Sequence, residues 1–231
     1  PDDKRTAHER HADIENRRGA IEALLGTRPD GASIVNRHGE LPLHRACSEE
    51  APLRIVEPLL RAHPGAVSVR TNDGLSPLDL ACTYRSPPDV VRDLLTLNPT
   101  SASESVPTGP GGTHLPLHAA CRSRAPLDTV RALLEVYPRG VSALDGDDGR
   151  LPIHLACLTR CNASIAEELL GAYPEGAGVV DGRGNLPYHY AKRHGMSLEG
   201  VRVVLEAYPE AAGVKPLFIW EGGDAITSGQ G

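Results

Sequence analysis

The sequence predicts an all-α solenoid built from helix–turn–helix repeats. Three observations carry that expectation. A proline motif returns at a nearly constant interval, a second motif with paired leucines returns with it, and four of the five cysteines occupy one place in the unit. The proline motif reads Leu41-Pro42-Leu43-His44, Ser76-Pro77-Leu78-Asp79, Leu115-Pro116-Leu117-His118, Leu151-Pro152-Ile153-His154 and Leu186-Pro187-Tyr188-His189. Its prolines lie 35, 39, 36 and 35 residues apart. A fixed period of this length marks a repeat array, in which each unit buries its apolar face only against its neighbours.

Each unit reads as two short helices. Proline costs nothing in the first turn of a helix, where its missing N–H would have had no partner. Pro42, Pro77, Pro116, Pro152 and Pro187 therefore mark helix starts. Leu43, Ala46 and Cys47 then fall at i, i+3 and i+4, on one narrow face. Small Ala and Cys let a neighbouring helix approach closely. The same Ala-Cys pair returns at Ala81-Cys82, Ala120-Cys121 and Ala156-Cys157. A second helix follows, as over Leu53–Leu60 and Leu127–Leu134. It ends in a leucine pair with a proline four residues on: Leu59-Leu60 with Pro64, Leu94-Leu95 with Pro99, Leu133-Leu134 with Pro138, and Leu169-Leu170 with Pro174. Val204-Leu205 with Pro209 closes the series, and Leu24-Leu25 with Pro29 is an N-terminal copy without its first half. Connectors such as Asn36-Arg37-His38-Gly39 and Asp181-Gly182-Arg183-Gly184 have turn chemistry. The expected organisation is a capping half-repeat over 1–35, then five full repeats over 36–213, then an apolar tail over 214–231. The five repeats would span 36–70, 71–109, 110–145, 146–180 and 181–213.

These residues resemble the ankyrin repeat. The family motif opens with a Gly-containing turn, continues Thr-Pro-Leu-His-x-Ala-Ala, and carries Val-Val-x-Leu-Leu in its second helix. The likeness covers residues 15–213. The sequence departs from the family in several ways. Leu41, Leu115, Leu151 and Leu186 replace the capping Thr, and only Ser76 keeps a hydroxyl. Asp79 stands where His is expected, and the units exceed the usual ~33 residues. The Gly usual between the two helices gives way to segments such as Ala51-Pro52 and Pro87-Pro88. The resemblance implies a non-catalytic protein-binding module, with first helices on a concave face and connectors projecting from it as fingers. It also implies a structural role for His44, His118, His154 and His189, hydrogen-bonding adjacent connectors.

Composition narrows the function. Aromatic residues are few, six Tyr with one Phe and one Trp, where a compact core of 231 residues would use more large rings. The formal charge of −6 argues against nucleic acid, whose binders need a dominant basic surface. No apolar run reaches the length of a membrane span. An intracellular location is expected, the cytoplasm first. An organelle interior stays open, because the chain starts at Pro1 and a leader is not visible.

Candidate chemistry is sparse. The four repeat histidines would lie about 8–10 Å apart on stacked helices, too far to share a metal with ligand distances near 2 Å. The same spacing keeps Cys47, Cys82, Cys121 and Cys157 from pairing, since bridged Cα atoms lie within about 7 Å. Cys161 is read as a loop residue outside the repeat register, an ordinary cysteine or a reactive thiol, and is expected to alkylate faster than the other four. His8-Glu9-Arg10-His11 lacks the i, i+4 spacing of a zincin helix, and Asp145-Gly146-Asp147-Asp148-Gly149 lacks the closing Glu of a calcium loop. No catalytic, metal or cofactor site is expected.

The surface says more. Behind each Ala-Cys pair the chain reads Ser48-Glu49-Glu50, Thr83-Tyr84-Arg85, Arg122-Ser123-Arg124, Leu158-Thr159-Arg160 and, in the last unit, Arg193-His194. After an acidic first unit this run is basic. It is either a solvated face or a site for an acidic partner segment. The candidate partner-binding residues are Tyr84, Arg85, Arg122, Arg124, Arg160 and Arg193, with His38, Arg150 and Arg183 on the fingers. Segment 96–114 holds the extra residues and reads as a long mobile finger or loop. Phe218 and Trp220 belong to an apolar run that either caps the last repeat or docks on a partner. The expected function is a scaffold or adaptor for another protein. The alternatives are a peripheral subunit docking through the Phe218–Trp220 tail, and a regulatory domain of an enzyme.

Overall fold

A computed structural model describes residues 18–109, 112–146 and 148–214. Helix α1 covers 18–27. The helices that follow come in pairs, with α2 (Pro42–Ser48) and α3 (Leu53–Ala62), α4 (Pro77–Thr83) and α5 (Pro88–Leu97), α6 (Pro116–Ser123) and α7 (Leu127–Val136). The series continues with α8 (Pro152–Leu158) and α9 (Ala163–Ala172), then α10 (Pro187–His194) and α11 (Leu198–Ala207). All five predicted prolines stand at the first position of the leading helix. The described residues thus form an all-α helix–turn–helix solenoid.

A proline also shapes the end of each pair. Residues His63, Asn98, Tyr137, Tyr173 and Tyr208 precede Pro64, Pro99, Pro138, Pro174 and Pro209, and their φ angles lie between −135° and −148°. The bulk of the proline ring drives the preceding residue out of the α region. The second helix stops there, and the proline opens a short 3-10 turn, as over Pro64–Ser68 and Pro138–Ser142.

Two layers result. The leading helices α2, α4, α6, α8 and α10 pack in sequence order, and α3, α5, α7, α9 and α11 form a second row behind them. Between leading helices the contact is made by Cys47, Ala81-Cys82, Ala120-Cys121 and Ala156-Cys157, all fully buried. Leu43, Leu78, Leu117 and Ile153 fill the space between the layers. Each such side chain contributes about 1.5–3 kcal/mol through burial.

The leucines that displace the family's threonine are core residues. Leu41, Leu115, Leu151 and Leu186 are buried at the N-cap position. A leucine cannot cap, and the histidine three residues on does part of that work. Nδ1 of His44, His118, His154 and His189 accepts the backbone N–H of Leu41, Leu115, Leu151 and Leu186 at 3.0, 3.2, 3.1 and 2.9 Å. Nδ1 must then be unprotonated, so the neutral ring carries its hydrogen on Nε2. That hydrogen points at the connector that leaves the pair, 25 residues ahead. Nε2 lies 3.0 Å from Val69 O, 3.0 Å from Ala143 O, 3.1 Å from Val179 O and 2.9 Å from Val214 O respectively. Each histidine is a two-ended clip between its own helix start and the following connector.

The described residues of segment 96–114, read as a finger or loop, carry regular structure. They form a 3-10 turn over Pro99–Ser103 and then an antiparallel hairpin, β1 (Val106–Gly109) with β2 (Gly112–His114). Buried Ser101, Ala102 and Val106 tie the first part of the segment to the stack.

Candidate functional site

The turn between the helices of each pair follows one pattern, and it places the basic residues. In the fourth pair, Arg160 N donates to Cys157 O and Cys161 N donates to Ala156 O, at 3.3 and 2.9 Å. The same long-range closure recurs as Ala51 N to Ala46 O, Ser86 N to Ala81 O, Ala125 N to Ala120 O and Met196 N to Ala191 O. This is a Schellman termination. It requires one residue in the left-handed region just past the helix and turns the next residue inward. The left-handed position is held by Glu50, Arg85, Arg124, Arg160 and Gly195, with φ of 54°, 58°, 62°, 58° and 70°. The conformation that usually calls for glycine is therefore kept, while the glycine itself survives only at 195.

That geometry corrects the reading of Cys161. It lies in the repeat register, at the inward position shared with Ser86, Ala125 and Met196, and is 3% exposed. Its Sγ sits 3.3 Å from Thr159 Oγ1 and 3.5 Å from Cys121 O, and burial pushes its thiol up. The other four thiols are raised too by burial, Cys47 to about 12. All five cysteines are buried and unpaired.

The candidate residues divide into three groups. Arg85, Arg124 and Arg160 are exposed at the left-handed position, and their side chains make no hydrogen bond or ion pair among the described residues. Exposed Tyr84 stands beside Arg85. Arg193 and His194 extend the same edge. Burial and then the charges of Arg193, Arg160 and Arg150 hold the His194 imidazole below its usual range.

The second group is engaged inside the protein. Arg122 Nη2 lies 3.4 Å from Oδ2 of Asp145, whose side chain is fully buried. Arg150, only 12% exposed, approaches Asp148 at 2.8 Å and Asp181 at 3.5 Å, and its guanidinium sits 5.3 Å from the centre of the Tyr190 ring. The Tyr190 hydroxyl donates to Asp181 Oδ2, and Arg183 Nε reaches Asp148 Oδ1 at 3.0 Å. This cluster ties the fourth connector to the fifth repeat. Arg150, a candidate for the finger rim, is drawn inward by the two carboxylates. His38 is exposed on the first finger, where its backbone carbonyl accepts the N–H of Asn72 at 3.0 Å. Glycine is required at that contact: Gly39 has a φ of 73°, and a Cβ there would lie 2.5 Å from Asn72 Oδ1.

The third group, Phe218 and Trp220, lies outside the described residues, as does His8-Glu9-Arg10-His11. Among the described residues no three His, Cys, Asp or Glu side chains gather as metal ligands, and no helix is long and apolar enough to cross a membrane.

The comparisons with known proteins agree with this geometry. The family model for ankyrin repeats matches residues 32–81. Residues 32–81 thus carry ankyrin repeats, and the helix pairs after them repeat the same architecture. The stack is similar to a chain in the solved structure of the Bd0816 predatory endopeptidase from Bdellovibrio bacteriovorus in complex with the immunity protein Bd3460. The TM-score is 0.64 at 16% identity, over 82% of this chain and 96% of the other. At that identity the likeness concerns the fold. No curated protein sequence matches.

The left-handed position had a signal in the sequence, in the run read behind each Ala-Cys pair. Glu50, Arg85, Arg124 and Arg160 each stand three residues after the cysteine of an Ala-Cys pair. The fixed offset marks one structural position. The Arg150–Asp181–Tyr190 cluster had no local signal, because its members come from separate repeats of the ankyrin stack.

Proposed function

We propose that this ankyrin stack is a non-catalytic protein-binding module that holds an acidic segment of a partner along the basic edge of its leading-helix layer. The repeats over 36–213 are the working unit. The observation that carries the reading is the row Arg85, Arg124 and Arg160, exposed and with no side-chain partner among the described residues in three consecutive repeats. Tyr84 supplies an aromatic anchor beside the row. A guanidinium fork holds a carboxylate through two parallel hydrogen bonds, which fixes orientation as well as charge. A stiff stack orders little on binding, so less of the contact energy is lost to entropy. The ankyrin family's use as a binding module supports the reading, as does the occurrence of this fold in a complex of two proteins.

Arg122 and Arg150 are not part of the free row. Arg122 offsets buried Asp145, and reversing its charge would leave that carboxylate beside a second negative group. The test therefore uses Arg85, Arg124 and Arg160. A partner identified by affinity purification from the native source is titrated by calorimetry against the parent and the triple Arg→Glu variant. The triple variant should bind at least about tenfold more weakly, with the gap widening at low salt. Equal affinity would assign the contact to another surface, the Phe218–Trp220 segment first.

A further inference from the structure

The shape of the acidic segment follows from the row itself. We propose that Arg85, Arg124 and Arg160 form a three-rung ladder for a polyproline-II segment carrying Asp or Glu at every third residue. This rests on the acidic-partner reading above.

Stability does not account for arginine at these positions. A non-glycine residue in the left-handed region costs about 1 kcal/mol or more, and arginine has none of the local hydrogen bonding that lets Asn or Asp sit there. Attraction to the helix C-terminus returns ~0.3–1 kcal/mol to an exposed cation, and an arginine one or two residues earlier would collect it without strain. The leading helices are only seven or eight residues long, which limits that attraction further. Stacking three unpaired arginines adds repulsion, about 0.4 kcal/mol per neighbouring pair at 10 Å in water. Three terms that are unfavourable or nearly neutral meet at one position, three times running. An external anion is what reverses the balance.

Spacing selects the conformation of that anion carrier. Leading helices that meet through Ala and Cys stack about 8–10 Å apart. A polyproline-II chain advances about 9 Å in three residues and returns the same face to the row. A β-strand presents one face every ~6.7 or ~13 Å, and a helix needs seven residues and about 10.5 Å. Acidic segments also favour extended polyproline-II states through self-repulsion. The ends of the row set its length. Glu50 occupies the first equivalent position and repels a fourth carboxylate, while Gly195 offers no side chain at the last.

The test uses the full chain and three fluorescein-labelled peptides of equal length and composition. Each carries three Glu residues, spaced two, three or seven apart. Anisotropy titrations should show the spacing-three peptide binding about tenfold more tightly than the others. Arg85→Gly, Arg124→Gly and Arg160→Gly should each weaken that peptide several-fold while leaving the melting temperature unchanged or higher, because glycine suits the turn. Equal binding of all three peptides would overturn the ladder and leave the acidic-partner reading standing. Tighter binding of the spacing-seven peptide would replace the extended segment with a helix. If no acidic peptide binds, both proposals fail. Displacement of the spacing-three peptide by an equal charge concentration of oligo-dT would overturn the ladder, since the row would then read charge alone.

Discussion

The junction behind α4 differs from the other four, and the contrast shows how the stack is held together. At His44, His118, His154 and His189 one neutral ring caps its own helix and donates to a carbonyl 25 residues ahead. At Asp79 the first half survives. Its Oδ2 accepts Ser76 N at 2.8 Å, and Ser76 Oγ accepts Asp79 N at 3.3 Å, a reciprocal capping box. The second half is lost. A carboxylate has no hydrogen to offer the next connector, and Oδ1 is buried without a hydrogen-bond partner. Arg70 takes over the forward link, bonding Gly74 O and the Glu104 carboxylate while its Nη1 lies 3.8 Å from Asp79. A buried clip is thus replaced by a half-exposed ion pair, in the pair followed by the long hairpin connector.

The largest expected effect comes from breaking a clip. His154→Ala removes the acceptor for Leu151 N and the donor to Val179 O and Asn185 O, and opens a cavity in a fully buried site. A loss of about 3 kcal/mol is expected in urea titrations followed by circular dichroism. A loss below about 1 kcal/mol would show that the histidines are not the links described here.

Acid should separate the junctions by sign. Burial holds the imidazoles of His44, His118 and His154 below their usual range, His154 at about 4. The unfolded chain takes up these protons near pH 6.5, so the clips stabilise fully above that pH and weaken as pH falls toward 4. For His154 alone the full window corresponds to roughly 3 kcal/mol. Asp79 runs the other way. Burial, against the opposing pull of Ser76 and Arg70, raises its carboxyl. Its ionised form therefore costs stability, and the cost disappears as pH falls through the raised value. Stability measured from pH 7.5 to 4 should drop in the parent, more steeply in Asp79→Asn, and less in His154→Ala. A parent curve that is flat below pH 6.5 would contradict the neutral clips.

Asp79→His should repair the odd junction. It supplies the missing Nε2 donor and removes a buried carboxylate, at the expense of the Ser76 box, for a net gain of about 1 kcal/mol. Destabilisation would show that the Arg70–Glu104 link depends on Asp79. The smallest effects belong to the thiols. All five cysteines should alkylate slowly in the native state, Cys161 included, at rates that follow unfolding. Fast labelling of Cys161 would restore the loop reading and undo the Schellman register.

Much of this architecture is local and was legible in the residues. The helix starts were readable because a proline's missing N–H is harmless at one place only. The period was readable because each repeat must meet its copies with the same face. The hairpin within 96–114 was not, since its serines and glycines are as compatible with a loop as with a two-stranded turn. The candidate site was legible as a basic run but not as an ordered row, because exposure of an arginine depends on what folds against it.

From the sequence by itself, then, came the repeat and the helix pairs, while the role of the clip histidines and the exception at Asp79 came from the family resemblance. The repeat and the helix pairs follow from short-range chemistry repeated at a fixed interval. The tertiary structure alone decided which arginines are free. Arg122 and Arg150 meet carboxylates brought from other connectors, whereas Arg85, Arg124 and Arg160 stand where the left-handed turn points them to solvent. It also decided that Cys161 faces inward, because the termination closes on the carbonyl of Ala156 and carries the next side chain into the core. Pairing across repeats, as between Arg150 and Asp181, is set by the packed neighbours, and no single unit of this chain contains it.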